Sequence, residues 1–154
     1  MTPYADTNFF ARVYLQLPES TEADWLLNKA KEREAAPLPL TWLHRVEILN
    51  AFQLHVFQAQ DSGQSYVTAQ QAALAHGNFR TDTQKSEFLR SVVIPDAELE
   101  KQFEDLSLRR TARHGFRTYD LLHVASALLL GCDTFWTFDA KASRLAKLEG
   151  LRVR

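Results

Sequence analysis

Two rhythms of apolar and polar positions alternate along the chain. Short apolar runs at Pro3-Tyr4-Ala5, 37–41, 88–94, 134–138 and 151–153 predict strands. Between them, longer stretches with helical spacing predict helices at 9–17, from Glu19-Ser20-Thr21-Glu22 onward, and at 42–60, 65–79, 97–114, 117–131 and 140–148. Pro18 stops the first helix, Gly77-Asn78 reads as an end signal, and His114-Gly115 closes the helix before it. Residues 61–65 read as a turn. In 42–60 the apolar stripe is expected at Leu43, Val46, Ala51, Leu54 and Phe57, with Glu47 and Asn50 anomalously on the same face. The stretch 117–131 is apolar almost all round, so it should be buried. Strands alternating with helices imply an α/β fold with a mainly parallel sheet, and no repeat or linker divides residues 1–154, so one domain is expected.

Composition narrows the class. With 154 residues, 24% charged and 45% hydrophobic, the chain has the balance of an ordinary globular protein. The longest apolar run, 121–130, is too short to span a bilayer, and the N-terminus lacks a basic-then-apolar leader. A cytoplasmic protein with no membrane partner is expected. The single cysteine, Cys132, excludes an intrachain disulfide and reads as a small buried apolar residue. A formal net charge of −1 means that any nucleic-acid contact must be local, through a cluster of cations.

Candidate chemistry lies in the acids. In parallel α/β sheets, ligands bind at the carboxyl ends of the strands. Asp6 and Asp139 each end a predicted strand, Asp120 stands in the first turn of a helix, and Glu47 faces inward about a turn into its own. Asp133 precedes its strand and belongs at the opposite edge, while Asp96 reads as a helix N-cap. Each of the four has a bland reading: Asp139 as an N-cap, Asp120 as a dipole-complementing acid, Asp6 as a turn residue, Glu47 as an ion-pair partner of Arg45 or Arg12. Placement of all four at one edge is what the bland readings leave unexplained. Two carboxylates about 5 Å apart repel by roughly 3 kcal/mol at an effective dielectric of about 20. Four such groups cannot all stay ionised beside an apolar core without a counter-ion or raised pKa values; a hard divalent cation, Mg²⁺ or Mn²⁺, solves this and can clamp a phosphodiester and activate a water for in-line attack.

The segments Tyr4-Ala5-Asp6-Thr7-Asn8, Val46-Glu47-Ile48, 118–125 and Thr137-Phe138-Asp139 resemble those of the PIN-domain nucleases, and among them the VapC-like toxins of toxin–antitoxin pairs. The resemblance covers nearly the whole chain. It implies a three-layer α/β/α sandwich with a mainly parallel central sheet. It implies that Asp6, Glu47, Asp120 and Asp139 hold Mg²⁺ or Mn²⁺, supported by Thr7, Asn8 and Thr118. It further implies an endoribonuclease that hydrolyses RNA phosphodiesters to a 5′-phosphate and a 3′-hydroxyl, a homodimer, and a cognate antitoxin protein that blocks the site.

Other polar residues are open. His123, one turn from Asp120, reads mainly as a packed or hydrogen-bonded core histidine. Arg117, Lys141 and Arg144 adjoin the acids and are candidate RNA contacts, with a solvated face as the alternative. Arg109, Arg113 and Arg117 would share a face only if their helix continued past Gly115. Trp25, Trp42 and Trp136 read as core or interface packing. Two other functions compete with the nuclease: a non-cleaving PIN-like module that binds RNA or protein, and a phosphohydrolase acting through a phospho-aspartate on Asp6. The second usually wants an aspartate two residues on, where this chain has Asn8.

Overall fold

The computed structural model describes residues 1–33, 35–61 and 66–154. The strands are β1 (Pro3–Ala5), β2 (Leu38–Leu40), β3 (Leu89–Ser91), β4 (Thr134–Trp136) and β5 (Arg152–Val153). The helices are α1 (Thr7–Tyr14), α2 (Ser20–Glu32), α3 (Trp42–Asp61), α4 (Ala69–Lys85), α5 (Asp96–Leu106), α6 (Ala112–His114), α7 (Thr118–Leu129) and α8 (Ala140–Leu148). Every strand pairing is parallel: β1 with β4, β4 with β5, and β2 with β3. Parallel neighbours need helical crossovers, and those helices cover both faces.

The strands show why there are three layers. Neighbouring residues of one strand point to opposite faces. Tyr4 and Phe135 join a core with α5, α7 and α8, through Leu99, Leu121, Val124 and Leu145. Ala5 and Trp136 join the other core, with α1 to α4, through Phe9, Phe10, Ile48, Phe52 and Phe79. Tyr4 stacks on Phe135 at 5.6 Å within its layer, and Phe9 packs on Trp136 at 5.2 Å within the other. The small residues Ala125 and Ala127 of α7 are fully buried, so this helix lies close on the sheet.

The element order follows the reading of the sequence, with corrections that have physical causes. Helix α1 begins at Thr7 because Asp6 caps it, its carboxylate accepting from the Phe9 N–H at 2.9 Å; it ends at Tyr14, before Pro18 is reached. Helix α4 starts at Ala69 behind a Thr68–Gln71 capping box and runs through Gly77-Asn78 to Lys85, ending only where Ser86 turns left-handed. A glycine inside a helix costs stability but does not stop it when a face is buried, and here Ala72, Ala75 and Phe79 are. Most of the expected 61–65 turn lies outside the described residues. The expected 97–114 helix is α5 and α6 joined through a π-helical turn at Ser107–Thr111; Pro95 stands at its N-cap and Asp96 within its first turn. Gly115, left-handed at φ 64°, ends it, so Arg117 starts another helix and shares no face with Arg109 and Arg113.

The stripe expected on α3 is displaced. The helix buries Leu43, His44, Ile48, Phe52 and Val56, and leaves Val46, Leu54 and Phe57 exposed. What draws a histidine inward is the backbone of β1. His44 Nε2 donates to the Ala5 carbonyl at 2.8 Å, while Nδ1 accepts from the Thr41 N–H at 3.1 Å. A carbonyl only accepts, so Nε2 carries the proton and the ring is neutral; burial holds its pKa well below the usual histidine value. Of the tryptophans, Trp136 lies in the core, whereas Trp25 (56%) and Trp42 (50%) are exposed. Cys132 is buried, and burial pushes its thiol up to about 11, as befits a packing residue.

We predict that His44→Ala costs about 3 kcal/mol in urea unfolding, the sum of a cavity and a buried carbonyl stripped of a donor. A loss below about 1 kcal/mol would mean that another group can serve Ala5.

Candidate active site

Strands β1 and β4 lie side by side and in register, so their carboxyl ends open together. Asp6 follows the first and Asp139 lies three residues past the second. Both serve as helix N-caps, and each uses one oxygen to do so. Asp6 Oδ1 caps α1, while Asp139 Oδ1 accepts from the Lys141 and Ala142 N–H groups of α8 at 2.8 and 3.0 Å. Their Oδ2 atoms are left for other partners. Capping and a place in the cleft are therefore compatible roles for one carboxylate.

Asp120 reaches the same place from the first turn of α7, and Glu47 from α3. All four acids line one cleft of about 460 Å³, together with Thr7, Asn8, Arg12, His55, Arg117 and His123. The remaining candidates sort differently. Thr7 and Asn8 line the cleft, and Thr118 does not. Lys141 reaches the Gly115 carbonyl at 3.4 Å, near the cleft but outside its lining. Arg144 also lies outside that lining. Asp133 sits at the opposite end of the sheet, bonded to the Thr2 N–H and paired with Arg152.

The carboxylates are compensated by different partners. Asp6 is buried, and burial raises its pKa to about 6 although His123, Thr137 and the Phe9 N–H all favour the ionised form. Thr137 Oγ1 donates to Asp6 Oδ2 at 2.5 Å and accepts from the Asp139 N–H at 2.9 Å, so one hydroxyl ties the two acids together. Glu47 is paired neither with Arg45 nor with Arg12. It accepts from His123 Nε2 at 2.6 Å and from Thr7 Oγ1 at 2.7 Å. Burial alone would raise its pKa, but these bonds and the nearby charges of His123 and Arg117 bring it below the usual range. His123 Nδ1 meets Tyr4 Oη at 2.9 Å, so the buried tyrosine anchors the ring that holds Glu47. Arg12 is engaged elsewhere, with Glu19 and the Asn8 carbonyl.

Arg117 compensates the other two. Its Nε and Nη2 donate to Asp120 Oδ2 and Oδ1 at 3.0 and 3.1 Å, and Nη2 also donates to Asp139 Oδ2 at 2.9 Å. Burial pushes the pKa of Asp139 up, but the cap N–H groups and Arg117 more than offset this and hold it low. Arg117 thus faces carboxylates. His123, Arg117 and Thr137 are the residues that reading the sequence underweighted. The i, i+3 spacing of Arg117 and Asp120 on one helix was the signal that could have found the first ion pair.

A divalent cation can be tested against this donor set. Carboxylates from four elements line the cleft, as does Asn8, whose buried amide oxygen has no partner among the described residues. An all-oxygen set with surplus negative charge suits a hard cation. As they stand, no three acidic, histidine or cysteine side chains among the described residues converge on a single ion position. The donors fit in kind, and side-chain rotation is required to gather them.

Asp6 generates a prediction. Its native pKa of about 6 exceeds its ordinary value of 3.8, so stability is lost as pH rises through that window. In chelator, Asp6→Asn should unfold later than wild type, with a gap that grows from pH 4 to pH 7 to about 2 kcal/mol. The titration of His44 is common to both chains and cancels. A gap independent of pH would show that burial does not govern Asp6.

Comparisons with known proteins come to the same fold. No curated protein matches the sequence. Among solved structures, the chain is similar to the VapC20 toxin of Mycobacterium tuberculosis, described as cleaving the sarcin–ricin loop. The TM-score is 0.61 with 14% identity, over 93% of this chain and 94% of that one. The likeness is one of fold. The model of the PIN domain family matches residues 4–148, nearly the entire chain with all four acids inside it. The chain belongs to the PIN domain family.

Proposed function

We propose that the chain is a divalent-cation-dependent endoribonuclease, the toxin of a toxin–antitoxin pair. The observation that carries this reading is the meeting of four carboxylates, each from a separate element, in one cleft at the carboxyl edge of a parallel sheet. Structural acids need not share a cleft, and placing them in one costs electrostatic energy that a bound cation returns. Membership of the PIN family and the fold shared with a toxin that cleaves the sarcin–ricin loop support the same reading.

Asp6, Glu47, Asp120 and Asp139 would hold Mg²⁺ or Mn²⁺. The ion, when bound, supplies Lewis acidity toward a phosphodiester and toward water. The chain's own residues supply orientation. Thr137 fixes Asp6 beside Asp139, while Thr7 and the Tyr4–His123 pair fix Glu47. Asn8 lines the cleft, and its buried amide oxygen has no hydrogen-bond partner among the described residues. Arg117, Lys141 and Arg144, each within five residues of Asp120 or Asp139, are the candidate cations for contact with RNA phosphates. A homodimer and an antitoxin that covers the cleft complete the proposal; no helix among the described residues is long and apolar enough to cross a membrane.

The test is cleavage of a structured RNA hairpin by purified protein with Mn²⁺. Wild type should cut, chelator should abolish cutting, and Asp120→Asn should lower the rate by about a hundredfold or more. If wild type binds the hairpin and cuts no faster than Asp120→Asn, the non-cleaving binding module is the correct function.

A further inference from the structure

Arg117 occupies a position that helix formation does not favour. It is the N-cap of α7, where Ser, Thr, Asp or Asn is usual, and its side chain makes no capping bond. A cation there also opposes the helix dipole. What holds it is the pair of carboxylates: a two-pronged bond to Asp120 and a third bond to Asp139, from α7 across to α8. The backbone behind it is anchored by buried Phe116, yet the side chain itself is 59% exposed. Its partners are less accessible, at 9% and 26%. The guanidinium therefore lies on the solvent side of the acids and can leave without disturbing the core.

We propose that Arg117 is a built-in counter-ion, seated where a divalent cation would bridge Asp120 and Asp139, and that the cation binds by displacing it. The proposal rests on the metal-site reading above. A divalent cation between Asp120 and Asp139 would repel the guanidinium that already bridges them, so metal entry and the Arg117 bridges compete for the same pair of carboxylates. The bridges keep the metal-free site from repelling itself, and they weaken its affinity for the ion by the same interaction. Arg117 is thus a positioning residue that sets how much free cation is needed to load the site.

Mn²⁺ titrations by calorimetry, paired with thermal unfolding in chelator, test this without any reading of activity. Arg117→Ala should bind Mn²⁺ about tenfold more tightly than wild type. It should also melt earlier in chelator and gain more from added Mn²⁺. Arg117→Lys keeps the charge but loses the two-pronged geometry, and its affinity should fall between the two; it also serves if the alanine variant folds poorly. Arg113→Ala removes the same charge from a neighbouring arginine and should leave affinity unchanged. Equal or weaker binding by Arg117→Ala would overturn the proposal, as would equal tightening by Arg113→Ala. If wild type and every Arg117 variant bind no Mn²⁺, the metal-site reading itself fails, an outcome distinct from a site that binds without regard to Arg117.

Discussion

Four carboxylates gathered in one cleft are the constraint to which the surrounding structure answers. The four are compensated in three different ways. Asp6 is pushed toward protonation by burial, Glu47 leans on a histidine and a threonine, and Asp120 with Asp139 shares an arginine. All three arrangements are adjustable. A proton can leave Asp6, the exposed guanidinium of Arg117 can swing outward, and His123 can trade bonds with its hydroxyl neighbours. A site with movable compensation can exchange it for a cation, whereas a buried network of fixed ion pairs cannot do so cheaply.

The scaffold supplies the fixed parts. Parallel pairing of β1 with β4 brings Asp6 and Asp139 to one edge, and each then closes the start of a helix. Two buried histidines sit behind them, with ring centroids 4.9 Å apart, and Tyr4 contacts both. His44 fixes the backbone of β1 and His123 fixes Glu47. The polar chain from Tyr4 to Glu47 therefore runs from the packed core to the cleft, so errors of packing under β1 are transmitted to the position of an acid.

Much of this was legible in the chain. Short apolar runs located the strands, and their ends located Asp6 and Asp139. Local signals failed where tertiary partners decided the outcome. Gly77-Asn78 looked like a helix end, but Phe79 packs in the core and α4 continues. On α3, apolarity favoured Val46, Leu54 and Phe57 for burial, and the Ala5 carbonyl drew His44 inward instead. Glu47 was visible as an acid on the wrong stripe, but its partner came from 76 residues away, beyond the reach of any periodicity. The same holds for Thr137 and Asp6, joined across β1 and β4. Arg117 read as a surface cation because its bond to Asp139 exists only once α7 and α8 are side by side.

Anomalous scattering from a crystal soaked in Mn²⁺ would locate the cation relative to the four carboxylates and Arg117. A peak is expected within coordination distance of oxygens from Asp6, Glu47, Asp120 and Asp139, about 2.0 to 2.4 Å, with Arg117 turned away from Asp120 and Asp139. A well-ordered site in which Arg117 still bridges the two aspartates and no peak stands among the acids would contradict that expectation.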